Sequence, residues 1–158
     1  MLNRRTIIRI LGVILITEGF FMWLAVPVWL IFGEKESLRF LLAGAITIFA
    51  GLGAYLPLRR SALKLSRRDG YVIVTGAWIL FSLFGTLPFL LTGSITNFTD
   101  AFFETISGFT TTGASILNHI EELSHGILFW RSLIQWLGGM GIILLTLLLL
   151  PFLGIGGM

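Results

Sequence analysis

Residues 97–115 read NFTDAFFETISGFTTTGAS, and they decide the fold because they interrupt a chain that is otherwise apolar enough to dissolve in lipid. Asn97 and Asp100 form a helix-start signal, and Ala101, Phe102, Phe103, Ile106 and Phe109 supply the apolar positions behind it. The pattern predicts a short helix. From Ala101 to Phe109 it rises about 13 Å, roughly half of a 30 Å hydrocarbon core, so it dips in without crossing. A helix that re-enters from outside turns its electronegative C-terminal end toward the membrane centre, which favours a cation. The following TTTGAS must then climb out as non-helical backbone, tolerated at that depth only where it is buried in protein or lines a water-filled path. Thr and Gly backbone can aim successive carbonyl oxygens at one axis, and Gly113 admits angles that a Cβ forbids. These constraints point to an ion path. The alternative is an ordinary outer loop, because Gly, Ser and Thr are common loop residues.

The surrounding composition sets the solvent. Of 158 residues, 56% are hydrophobic and 12% charged, and the mean hydropathy is +0.95. A soluble domain of this length needs far more polar surface, so the chain reads as an integral membrane protein. There are no cysteines, which excludes disulfides, thiol catalysis and Cys-ligated metals. Four stretches reach the roughly 20 residues that a crossing helix requires: 7–32, 40–58, 71–91 and 126–150. The first is too long for a signal-peptide core and is not followed by a small-residue cleavage site, so it reads as a retained span. The expected fold is all-α, with four transmembrane helices and one re-entrant pore helix and filter loop between the third and fourth.

Charge orients these spans. Arg4, Arg5, Arg9, Arg59, Arg60, Lys64, Arg67 and Arg68 fall on one side, against Lys35 and Arg39 on the other. The positive-inside rule therefore puts the N terminus and the basic linker in the cytoplasm of a multi-pass membrane protein, with 92–125 outside. Beside two spans the basic linker reports orientation and not a nucleic-acid partner. The chain divides into a leader hairpin (1–58), a basic cytoplasmic linker (59–70) and a helix, pore-loop, helix unit (71–158). No second copy of that unit occurs within these residues.

TDAFFETISGFTTTGAS, followed by WRSLIQWLGGMGIILL and LPFLGIGGM, resembles the first pore repeat of the Trk/Ktr potassium uptake family, whose membrane subunits are of the TrkH type. The two leader helices and LSRRDGYVIV also sit where that type places them. The resemblance implies potassium uptake across the inner membrane through four helix, pore-loop, helix repeats around one K+ path. It also implies pairing as a homodimer and control by a cytoplasmic nucleotide-binding ring subunit. On this reading Thr111, Thr112 and Gly113 supply filter oxygens, with potassium at Thr111 and Thr112, and Thr110, Ala114 and Ser115 frame them. One repeat of the four is present, so the chain is expected to be a truncated or partial one, its other filter loops coming from further sequence or further copies. A small homotetrameric cation channel is one alternative, and a non-conducting membrane scaffold is another.

The remaining polar residues are weighed against plainer roles. Glu104 on the pore helix is expected to hydrogen-bond the filter backbone or pair with Arg131, both as structural supports; the alternative is that each reaches outer water or headgroups. Glu18, isolated in the first span, is read as a protonated acid packed toward the bundle, with a transport role as the alternative. His119 and His125 read as loop residues and not as a metal centre. Ala43, Thr47, Ala50 and Ala54 share a helical face suited to close packing. Trp130 and Trp136 read as interface and packing residues. No nucleophile and base pairing, phosphate loop or metal-ligand spacing is visible, so an enzyme is not expected.

Overall fold

The computed structural model describes residues 2–34, 37–60 and 66–149, and all regular structure among them is helical. Four stretches are long and apolar enough to cross a membrane: Arg4–Phe32, Leu38–Leu58, Arg68–Thr92 and His125–Ile143. The centre of the basic linker, including Lys64, and the terminal LPFLGIGGM lie outside the described residues.

Two of the spans are broken by proline. The first consists of α1 (Arg4–Trp23) and α2 (Val26–Phe32). Pro27 has no N–H, and its ring crowds the carbonyl four residues earlier, so the chain tightens at the join, where Leu24 and Ala25 donate to Phe21 and Met22 at 3.1 Å. Gly33, at φ 68°, ends α2. The second span is α3 (Ser37–Tyr55), extended by a 3-10 turn at Leu56–Leu58. The third repeats the proline device: α4 (Arg67–Gly85) gives way to α5 (Leu87–Thr92) at Pro88. A capping box starts α4, with the Ser66 hydroxyl accepting from the Asp69 N–H while the Asp69 carboxylate accepts from the Ser66 N–H at 2.9 Å. Then come α6 (Phe98–Phe109) and the long α7 (His125–Leu149).

The leader hairpin is a glycine seam. A Cβ on Gly12 would lie 2.8 Å from the Gly51 carbonyl oxygen, and one on Gly19 would lie 2.7 Å from that of Gly44. Gly12 and Gly19 on α1, and Gly44 and Gly51 on α3, are each seven residues apart, so matching turns of the two helices meet backbone to backbone. Ala43 and Thr47 are buried beside this contact. At the end of the bundle where α2 meets α3 an aromatic core gathers Trp29, Phe40, Phe89 and Trp130, with the Phe40 ring 5.8 Å from Trp29 and 6.0 Å from Trp130. Large apolar side chains such as Ile31 and Phe49 point outward, as expected of a surface solvated by lipid.

Both ends of the bundle are tied. At one, the Asn3 N–H donates to Asp69 at 2.9 Å, joining the start of α1 to the start of α4. At the other, the Arg39 guanidinium donates to the Thr92 carbonyl at 3.1 Å, a cation at a helix C-terminus.

Candidate ion site

The insert between α5 and α7 folds as a helix and a returning loop. Asn97 caps α6 by accepting from the Thr99 N–H at 2.9 Å. Its twelve residues rise about 18 Å, too little to cross a hydrocarbon core of about 30 Å. Ala101, Glu104, Thr105, Ser107 and Phe109 are buried against α4 and α7. Small residues allow that approach: a Cβ on Gly85 would come within 2.7 Å of Thr105 Cγ2, and one on Gly138 would overlap the Phe109 carbonyl oxygen. Trp130, buried as expected, donates its indole N–H to the Gly85 carbonyl at 3.2 Å, whereas Trp136 stays half exposed.

After Phe109 the backbone leaves the helix with its donors turned back. The N–H groups of Thr110, Thr111 and Thr112 donate to the carbonyls of Ile106, Gly108 and Ser107 at 2.9, 3.0 and 3.0 Å. Thr111 takes φ 57° and Gly113 φ 75°, so left-handed residues alternate with others along the loop. Among the described residues the carbonyls of Thr110, Thr111, Thr112 and Gly113 accept no hydrogen bond. Those acceptors, all on exposed residues, are left for a cation or for water. The hydroxyls of Thr110 and Thr112 lie 2.9 Å apart.

The returning strand of the loop is stitched to α6. Ser107 donates its hydroxyl to the Ala114 carbonyl at 2.6 Å. Glu104, 3% exposed, accepts from the Ser115 hydroxyl at 3.0 Å and from the Ile116 N–H at 3.2 Å. Arg131, from the second turn of α7, completes it with Nε and Nη2 donating to Glu104 Oε1 at 2.8 and 2.6 Å. Every strong partner a buried carboxylate needs is thereby present. A polar cavity of about 90 Å³ lies behind the loop, lined by Glu104, Ser107, Gly113, Arg131, Ser132 and Gln135.

The structure treats the other singled-out residues differently. His119 is exposed, 3.8 Å from Glu122. His125 is not a loop residue but opens α7, its ring stacked on Phe32 at 3.7 Å and its Nδ1 2.9 Å from Glu34. Glu34, which sequence reasoning did not single out, accepts from the N–H groups of His125 and Gly126 at 2.9 and 3.4 Å. It caps α7 from the connector that follows α2, while the adjacent Ser124 hydroxyl has no partner among the described residues. Burial works to raise the Glu34 pKa, but the hydrogen bonds from the His125 side chain and the two backbone N–H groups outweigh it and hold the carboxyl below its ordinary value. Glu18 is 1% exposed against α4 and α6, and neither of its oxygens has a partner among the described residues.

Residues 36–158 match the TrkH family, described as "Cation transport protein". The Trk system potassium uptake protein TrkH of Halomonas elongata is 42% identical over 158 residues, covering 99% of this chain and 33% of that protein. TrkH of Escherichia coli K12 is 39% identical over 155 residues, covering 98% of this chain and 32% of that protein. The crystal structure of the potassium transporter TrkH from Vibrio parahaemolyticus superimposes with a TM-score of 0.91 at 40% identity, over 99% of this chain and 34% of that one. The chain thus spans about a third of the length of the relatives it matches. A four-span helical fold carrying a half-length helix and a Thr-Gly loop, matched along nearly its whole length, belongs to the TrkH family of cation transport proteins.

Proposed function

We propose that this chain supplies one of the selectivity-filter loops of a potassium uptake pore, with α6 as a re-entrant pore helix entered from outside. The observation that carries the reading is the loop after Phe109: its donors are turned back into the helix, and four successive carbonyls from Thr110 to Gly113 are left without partners. A dehydrated K+ needs such uncommitted oxygens in place of its water shell. Thr111, Thr112 and Gly113 are its proposed ligands, Thr110, Ala114 and Ser115 frame them, and Glu104 with Arg131 braces the return of the loop. The C-terminal end of α6 adds the favourable half of a helix dipole.

One loop does not encircle an ion. The remaining oxygens come from further pore repeats, in keeping with relatives about three times as long. The basic linker on the cytoplasmic side of an inner membrane, and a regulatory nucleotide-binding ring beneath it, complete the proposal from family resemblance.

The test is growth of an uptake-deficient bacterium at low potassium, carried by the protein that contains this chain. A Cβ at the left-handed Gly113 costs about 1–2 kcal/mol, enough to depopulate the ordered loop about tenfold. Gly113→Ser should accordingly abolish growth or relax selectivity for potassium over sodium in flux assays. Unchanged uptake with unchanged selectivity would remove the filter assignment.

A further inference from the structure

A second cavity lies apart from the loop, between α1, α4 and α7 and capped by Phe109. Its volume is about 430 Å³, within the roughly 300–1,000 Å³ range of small-molecule sites. Phe21, Ala77, Trp78, Phe81, Trp136 and Gly141 build walls that are almost wholly apolar, and no Lys, Arg or His is among its lining residues. The Thr17 hydroxyl at its edge is committed to the Val13 carbonyl at 3.0 Å. Glu18 belongs to the same lining, and both of its carboxyl oxygens are buried without a partner.

That combination restricts the occupant. An unpaired buried carboxyl is costly, and the polar groups beside it are already engaged: Thr105 donates to Ala101 at 2.7 Å and the Trp130 indole to Gly85 at 3.2 Å. Water is a poor substitute, because a buried water needs two to four polar partners and these walls offer almost none beyond Glu18 itself. A molecule that brings its own apolar body and a single cationic donor meets both demands. Trp78, Trp136, Phe81 and Phe109 also border it, and aromatic rings attract a cation placed over their faces. In the folded chain both oxygens are shielded and Oε1 lies toward Gly85, so pairing with such a head group requires the Glu18 side chain to turn about its torsions into the space it borders.

We propose that this cavity binds a lipophilic primary ammonium compound entering from the lipid side, its head group paired with Glu18 and its body between α1, α4 and α7. Anions and neutral amphiphiles are disfavoured, since neither supplies the charge-assisted bond that a carboxylate accepts.

The experiment is calorimetric titration of the purified protein in detergent micelles with 1-aminoadamantane and, in parallel, adamantan-1-ol, which has the same cage and a neutral head. The amine should bind one to one and at least tenfold more tightly than the alcohol. Glu18→Gln should erase that preference, and Gly141→Phe, which fills the cavity from α7 beside Trp78, should block both compounds. Equal affinities for the two compounds in the unaltered protein would overturn the proposal, as would an amine preference that survives Glu18→Gln. A diazirine derivative of the amine locates the site independently of any variant: labelling in α1, α4 or α7 at the cavity supports it, and labelling elsewhere overturns it.

Discussion

Thr111 holds a β-branched side chain at φ 57°, a conformation that such residues rarely adopt. Strain of this kind costs about 1–3 kcal/mol and persists where the surroundings over-determine it; here the N–H groups on either side are tied back to Ile106 and Ser107. Thr111→Gly should therefore leave the melting temperature unchanged or raised while weakening potassium selectivity, because the loop gains freedom. A fall in stability with intact selectivity would separate the strain from the filter. Glu104 and Arg131 make a different prediction. Removing one member of a buried ion pair strands the other at a cost of about 3–5 kcal/mol, so Arg131→Ala should sharply lower the yield of folded protein. The Glu104→Gln, Arg131→Met pair should cost less than the sum of its single changes in a thermal-melt cycle. That Glu104 and Arg131 could meet was readable from their positions on two helices. That Ser115 and Ile116 complete the carboxylate's shell was not, since it depends on how steeply the loop returns.

The helices were readable as elements, because length and apolar content alone mark segments that lipid will solvate. Their internal breaks follow from Pro27 and Pro88, each of which removes a backbone donor. The face along which they pack is less transparent. Ala43, Thr47, Ala50 and Ala54 suggested a small-residue stripe on α3; Ala43 and Thr47 are indeed buried, but the backbone contacts with Gly12 and Gly19 run through the neighbouring Gly44 and Gly51. Composition cannot choose among several small-residue faces, whereas the crossing of two helices can. Gly19→Leu should accordingly break the hairpin, driving a side chain into the Gly44 backbone at a cost of about 1–3 kcal/mol or more. On α3, a Cβ at Gly53 meets nothing within 4 Å, so Gly53→Leu should be tolerated. Melting temperatures in detergent compare the two, and equal losses would argue against the seam.

In the whole molecule, contacts between segments far apart in sequence hold the α2–α3 end of the bundle together. Glu34 caps α7 across 91 residues, and its folded pKa lies below the ordinary one. A depressed carboxylate contributes stability that is complete above its unfolded pKa and is lost as pH falls through the folded value. Unaltered protein should lose more thermal stability than Glu34→Gln between about pH 5 and about pH 3, and parallel pH profiles would assign the clasp no energetic weight. Orientation is tested with the cysteine-free chain as background: a cysteine in place of Asn118 should react with an impermeant thiol reagent from outside, and one in place of Arg60 should be protected. The amino-acid sequence by itself determined the solvent, the number of spans, the half-length helix and the Thr-Gly loop, because each is a property of a contiguous segment and its hydropathy, charge or turn chemistry. Only the tertiary structure decided which carbonyls stay uncommitted, that Glu34 and not Ser124 caps α7, which glycines form the seam, and that Glu18 borders a cavity. Those depend on groups tens of residues apart being brought within hydrogen-bond or van der Waals distance, and no local pattern encodes such distances.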